Sequence, residues 1–133
     1  MALVVPNNGE GDALDAFTAK TAMSTLVLRL YGGNITPSET DVASTYTSAE
    51  YAATGYAAIV LTAASWSTSE GAPSQTSYAQ QTFTMTGAGD AYGYFMTRNT
   101  GGRLALAERF TGAPFSIPGG GGTIKITPQI TAD

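Results

Sequence analysis

From Gln81 onward the chain is a succession of short runs in which Thr, Tyr, Phe and Ile alternate with smaller or polar residues, each run cut by glycine. Gln81-Thr82-Phe83-Thr84-Met85-Thr86 comes first, then Tyr92-Gly93-Tyr94-Phe95-Met96-Thr97. Arg103-Leu104-Ala105-Leu106-Ala107-Glu108-Arg109-Phe110 follows, and the series closes on Thr123-Ile124-Lys125-Ile126-Thr127. A period of two in β-branched and aromatic residues marks half-buried strands, and the glycine-rich breaks mark tight turns. The expected fold is therefore mainly β: an antiparallel β-sandwich or barrel-like sheet of about six to eight strands with one short N-terminal helix.

The first half supplies the helix and the strongest single strand. Residues 1–8 are expected as an extended arm, because Pro6 fixes its own backbone and disfavours helix at Val5. A helix is expected from Asp12, as its cap, to Met23, with Leu14, Phe17 and Met23 on the apolar side and Ala13, Ala16, Ala19 and Ala22 favouring it throughout. In Thr25–Tyr31, Leu26, Leu28 and Leu30 share one face, which should be strongly buried, with Val27, Arg29 and Tyr31 on the other. Thr36-Pro37-Ser38-Glu39 has the spacing of a capping box, followed by no more than one turn or a short loop before Thr47. Tyr56–Thr62, Tyr78–Thr86, Ala91–Arg98, Arg103–Phe110 and Thr123–Thr127 are expected strands. Trp66 is placed beside the first of these. Residues 67–77, 87–90, 99–102 and the stretch holding Pro114 and Pro118 are expected turns or loops.

At 133 residues, with neither an internal repeat nor a linker, the chain reads as one domain, 1–133. Only 12% of it is charged, so the surface must be built largely of Ser, Thr, Gly, Ala, Asn and Gln, as suits a protein whose surface faces neighbours. The net charge is −4 and the six Lys and Arg are scattered, which argues against nucleic acid as a partner. The start has no basic region ahead of an apolar stretch, and no run is long enough to span a bilayer. Synthesis in the cytoplasm without a membrane partner is the expectation.

Histidine and cysteine are both absent, which excludes imidazole bases, thiolate nucleophiles and thiolate or imidazole metal sites. Glu10, Asp12 and Asp15 are read as acids near a helix start, favoured by its dipole, rather than as calcium ligands or a glycosidase pair. Glu39 and Asp41 are read in the same way. Gly119–Gly122 opens a strand rather than a helix, so it is a turn and not a phosphate loop. Gly87-Ala88-Gly89-Asp90 is read as a hairpin turn rather than a calcium loop. The thirteen aromatics could make a sugar-stacking platform, but their alternation places most of them in the core or in cross-strand pairs. Glu108 and Arg109 fall on opposite faces of a strand, where a cross-strand or intersubunit ion pair is expected and joint catalysis is not. No catalytic residue, cofactor or metal is expected.

The order of features resembles a family of small structural proteins of tailed bacteriophages. It runs from Val5-Pro6-Asn7 and a short helix through Leu28-Arg29-Leu30-Tyr31, Thr36-Pro37, Thr54-Gly55-Tyr56-Ala57, Trp66 and Tyr78-Ala79-Gln80-Gln81-Thr82-Phe83. Gly93-Tyr94-Phe95, Ala107-Glu108-Arg109-Phe110 and Ile126-Thr127-Pro128 complete it. The resemblance implies a non-enzymatic virion component. A capsid decoration or cement protein bound to the major capsid protein ranks first. A tail, neck or fibre component ranks second, and a carbohydrate-binding module stands as the reading from another class. A homo-oligomer is expected, with the trimer suggested by capsid three-fold sites. Leu3, Val4, Val5, Tyr92, Tyr94 and Arg109 are the candidate interface residues, Tyr92 and Tyr94 as neighbours on one strand face. The ends, Ala2–Pro6 and Thr127–Asp133, are the expected clamps.

Overall fold

The computed structural model describes residues 3–20 and 24–132. Helix α1 (Asn7–Phe17) is followed by strand β1 (Leu26–Tyr31), the short helix α2 (Ala43–Thr47) and β2 (Ile59–Leu61). Strands β3 (Ser67–Ser69), β4 (Ser74–Ser77), β5 (Gln81–Met85), β6 (Gly89–Ala91), β7 (Gly93–Arg98) and β8 (Leu104–Arg109) come next. Then follow β9 (Phe115–Ile117), β10 (Gly122–Ile126) and β11 (Gln129–Ala132). The fold is mainly β and antiparallel, with an N-terminal helix, and no barrel closes. The eleven strands among the described residues exceed the six to eight expected because several are only three or four residues long.

The central sheet has the order β2-β1-β7-β8. Its heart is the pairing of β1 with β7, in full register from Leu26 opposite Arg98 to Tyr31 opposite Gly93. One face carries Leu28, Leu30, Leu61, Tyr94, Met96 and Leu106, packed against Phe83, Met85, Ile124 and Ile126 of the β5–β10 pair. This is the two-layer packing of a sandwich, with each sheet hiding the other's apolar face. The opposite face is also covered: Tyr31, Phe95, Leu104 and Ala107 lie under Tyr46 of α2. The Tyr46 and Phe95 rings stack at 5.3 Å, and Tyr31 meets Tyr46 edge-on at 5.1 Å. Val27 and Tyr31 are therefore buried along with Leu28 and Leu30, and β1 has two buried faces where the alternation suggested one.

Gly93 is required by this packing. A Cβ there would collide with the Tyr31 hydroxyl and the Glu108 carbonyl, so only glycine lets the Tyr31 ring cross β7. β2 stops at Ile59, opposite Leu28, which leaves the outer backbone groups of Leu30 without a strand. The Tyr56 hydroxyl accepts from Leu30 N–H at 3.1 Å, and Tyr51 N–H donates to Leu30 C=O at 2.9 Å. Tyr56 O–H in turn donates to Glu50 Oε1 at 2.8 Å, and Arg29 Nη1 closes the network on Glu50 at 3.0 Å. A side-chain network thus finishes the ladder that a three-residue strand cannot, so that no polar backbone group is left stranded there.

The helix differs most from expectation. It starts at Asn7, not Asp12, with Pro6 in the cap position and its carbonyl accepting from Glu10 N–H at 3.0 Å. Asp12 is mid-helix and buried, and its Oδ1 lies 3.4 Å from Arg98 Nη1 and 3.2 Å from Arg103 Nε. The helix ends at Phe17 because the chain turns into the left-handed region at Ala19, φ 56°. Lys20 N–H bonds Asp15 C=O and Ala19 N–H bonds Ala16 C=O, which is a Schellman stop made without glycine. Leu14 and Phe17, expected to face the core, are 67% and 91% exposed. Met23 and the rest of the expected helix at 21–23 lie outside the described residues.

The extended arm is shorter than expected and is not free. Val4 and Ala107 exchange two backbone hydrogen bonds, at 2.8 and 2.9 Å, so the arm closes the outer edge of β8. α1 then lies against β8, where Gly9 allows contact with the Ala105 carbonyl that a Cβ would prevent. The C-terminal end is likewise tied in, as β11 pairing with β4. Residues 67–77, expected as a loop, form the β3–β4 hairpin; their Ser and Thr make a strand ladder with little apolar burial. β6 and β9 also lay mostly in expected turns or loops, short strands being hard to tell from turns when Gly and Pro surround them, and β11 lies in the end expected as an extended clamp. Thr36-Pro37-Ser38-Glu39 starts no helix. Asp41 Oδ2 instead accepts from Ser38 N–H at 2.9 Å in a turn ahead of α2, so Glu39 and Asp41 are not first-turn acids.

Two stability outcomes follow from these contacts. Ala19→Gly should stabilise the protein by about 0.5–1 kcal/mol in urea denaturation, because a left-handed L-residue is relieved at the helix stop. Val4→Pro removes the N–H that bonds Ala107 and should cost about 1–3 kcal/mol, with Val4→Ala costing less. An unchanged midpoint for Val4→Pro would show that the arm does not hold the β8 edge.

Candidate assembly surface

The expected interface residues divide into an internal set and a partly accessible set. Tyr94 is buried, 7% exposed, in the main core, and its hydroxyl donates to Glu108 Oε2 at 2.6 Å. Tyr92 packs instead with the Tyr31–Tyr46–Phe95 cluster on the other side of the central sheet. The two tyrosines therefore do not share a face. The chain leaves the β6–β9 pair and enters the central sheet at Tyr92, and the regular alternation is broken at that step. Arg109 lies over the Tyr92 ring, 5.2 Å from its centroid, and donates to the Ile35 carbonyl at 2.9 Å. Glu108 and Arg109 do sit on opposite faces, but each serves the fold through hydrogen bonds and a ring contact rather than a cross-strand ion pair.

Leu3, Val4 and Val5 are half-buried, and with Glu10, Pro37, Ser38 and Glu39 they line a shallow depression of about 400 Å³. A second groove, about 420 Å³, runs between Gly32–Gly33, 49–53 and 88–90. Its side chains are mostly small. Of its two carboxylates, Glu50 and Asp90, the first is engaged by Arg29 and Tyr56. A third, about 460 Å³, is lined by Phe110, Thr111, Phe115 and residues 123–126 of β10. Among the described residues no three acidic side chains gather in a way that could hold a metal. Gly87–Asp90 leads into β6, and Gly119–Gly122 into β10.

Most of the aromatic residues are core. Tyr31, Tyr46, Tyr51, Tyr94, Phe83 and Phe95 are buried, and Tyr56, Trp66, Tyr78, Tyr92 and Phe110 pack against the core half-buried. What the surface does show is apolar: Leu14, Phe17, Val42, Val60 and Phe115 are all substantially exposed. Sequence reasoning missed this set because it assigned Leu14 and Phe17 to the core and Phe115 to an undifferentiated loop. The signal available was the position of Leu14 and Phe17 on the same helical side as Glu10. No family model matches the chain, and no curated protein matches it.

The buried tyrosines give the core a pH response. Burial raises the Tyr31 hydroxyl to about 12 from its ordinary 10. It also raises Tyr46, Tyr56 and Tyr94, and donation to Asp41, Glu50 and Glu108 pushes them the same way. Below pH 10 these groups are neutral in both folded and unfolded chains, and their stabilisation is fully present. As pH rises past 10 the unfolded chain ionises first, so stability is lost through the folded values, for Tyr31 between about pH 10 and 12. Chemical denaturation from pH 7 to 9 should be flat on this account. Above pH 10 it should fall by about 1.4 kcal/mol per pH unit for each tyrosine that stays protonated. A flat curve to pH 11 would show these hydroxyls to be freely solvated.

Proposed function

We propose that this protein is a non-enzymatic structural component of a tailed-bacteriophage virion, most simply a decoration or cement protein that binds and stabilises the head shell. The collinear resemblance, running from Val5-Pro6-Asn7 to Ile126-Thr127-Pro128, carries the reading. Two surface properties support it. Charge is sparse, with six basic and ten acidic residues in the whole chain. The exposed apolar side chains Leu14, Phe17, Val42, Val60 and Phe115 are a cost to a free monomer and an asset to a protein that sits against neighbours.

The mechanism is mass action. A subunit that binds only the assembled shell lowers the free energy of that state by an amount set by its affinity and concentration. Contact with shell proteins, and the expected homo-oligomer, would use accessible side chains. The termini proposed as clamps are poor choices, since Val4 closes β8 and β11 completes the β3–β4 sheet. Deleting residues 2–6 should therefore damage the fold itself.

The test is to locate the protein in intact particles by immunogold labelling and to compare particles with and without it. The expected outcome is label over the head and earlier loss of particle integrity on heating when it is missing. Label confined to the tail would replace the cement role with that of a tail, neck or fibre component. Absence from particles, together with retention on a glycan column, would favour the carbohydrate-binding module.

A further inference from the structure

We infer that copies of this chain associate head to tail, the outer face of α1 from one copy seating in the groove beside β10 of the next. The inference deepens the homo-oligomer reading above by naming its surfaces, and it relies on that reading only for the presence of a second copy.

The inserting face is defined by the helix period. Glu10, Leu14 and Phe17 lie at spacings of four and three and so share one side of α1, a stripe about 10 Å long from Glu10 to Phe17. Gly9 and Asp12, on the other side, hold the helix to its own domain. Leu14 is 67% exposed and Phe17 91% exposed, leaving an apolar pair at the free end of the helix with a carboxylate two turns back. Among the described residues Glu10 makes no ion pair.

The receiving groove, about 460 Å³, has complementary chemistry. Phe110 and the exposed Phe115 supply its apolar walls above the largely buried Ile124 and Ile126, and Lys125 is its only charged lining residue. Lys125, like Glu10, forms no ion pair among the described residues. Among the described residues β10 pairs with β5 alone, so its other edge carries no strand. A bulky aromatic and a Leu fit such a volume, and the charges at the two rims have opposite sign.

One copy cannot satisfy itself. Asp12 fixes α1 to Arg98 and Arg103, at the turn between β7 and β8, and Asn8 Oδ1 accepts from Arg103 Nη2. Since Gly9 sits at Ala105 and Asp12 near Arg103, the helix runs towards that turn and carries Phe17 past it. Phe110, in the groove, follows the opposite end of β8. Insert and socket are separated by at least the length of that strand, roughly 20 Å. Different patches on the two ends make the contact heterologous, which closes into a ring where the rotation permits and otherwise extends.

Sedimentation velocity of the full chain tests this with three single variants and one double variant whose changes fall on exposed positions, folding being checked by circular dichroism. Wild type should associate as concentration rises. Phe17→Ser and Phe115→Ser should each weaken association about tenfold or more. Mixed one to one, they should form a species that stops at two subunits, because one variant keeps a working socket and the other a working insert. Lys125→Glu should weaken association several-fold, and adding Glu10→Lys to it should restore the loss. Wild type that stays monomeric, single variants that associate like wild type, or a mixture that stays monomeric would each overturn the inference. Shell binding is read separately: a monomer that still decorates particles overturns the head-to-tail contact and leaves the structural role standing.

Discussion

The antiparallel pairing of β1 with β7 is the contact on which the rest of this molecule depends. It joins residues 26–31 to residues 93–98 without a register break, and both strands are buried almost throughout. A pair with two apolar faces must be covered twice. The β5–β10 pair covers one face; α2, through Tyr46, covers the other. The flanking strands then extend the ladder, β2 outward from β1 and β8 outward from β7. Gly93 is the point at which the requirements meet, since it pairs with Tyr31 and also makes room for its ring.

The distribution of charge follows from the same economy. Composition suggested a surface poor in ions, and the fold makes it poorer still. Arg29 is held by Glu50, Arg98 and Arg103 share Asp12, and Arg109 is occupied by the Ile35 carbonyl and the Tyr92 ring. These partly buried pairs orient segments distant in sequence, though desolvation offsets much of their attraction. The remaining surface offers hydroxyls, glycine, a few large apolar side chains and scattered charges such as Glu10, Glu39, Glu70 and Lys125. Such a surface recognises neighbours by shape and apolar contact more than by long-range attraction.

Legibility in the sequence tracked the strength of local patterning. β1, β5, β7, β8 and β10 were readable because five or six alternating residues between glycine-rich breaks admit few other readings. β3 and β4 were not, since Ser and Thr ladders look like loop when apolar alternation is the signal. The helix was misplaced at both ends for physical reasons. Asp12 is a good cap by type, but it is used as a buried ion, and Ala19 is a good helix former that here adopts the left-handed turn. Of the candidate interface, Tyr94 proved to be core, while Phe17 and Phe115 became visible only once the helix and β9 were placed.

The bond between Val4 and Ala107 also says something about the order in which this chain becomes a protein. Val4 is made well before its partner Ala107 in β8, with β1 to β7 between them. Until β8 is made the apolar Leu3-Val4-Val5 segment has no native place to dock, and neither does β1 until β7 follows. Contacts of such long sequence separation must be closed against chain entropy before they return any stability, so folding should be slow and must wait for β7 and β8. During that interval the β1 strand, Leu26–Tyr31, is an unpaired apolar ribbon with a single charge, and protection of that segment would govern how much soluble protein a cell obtains.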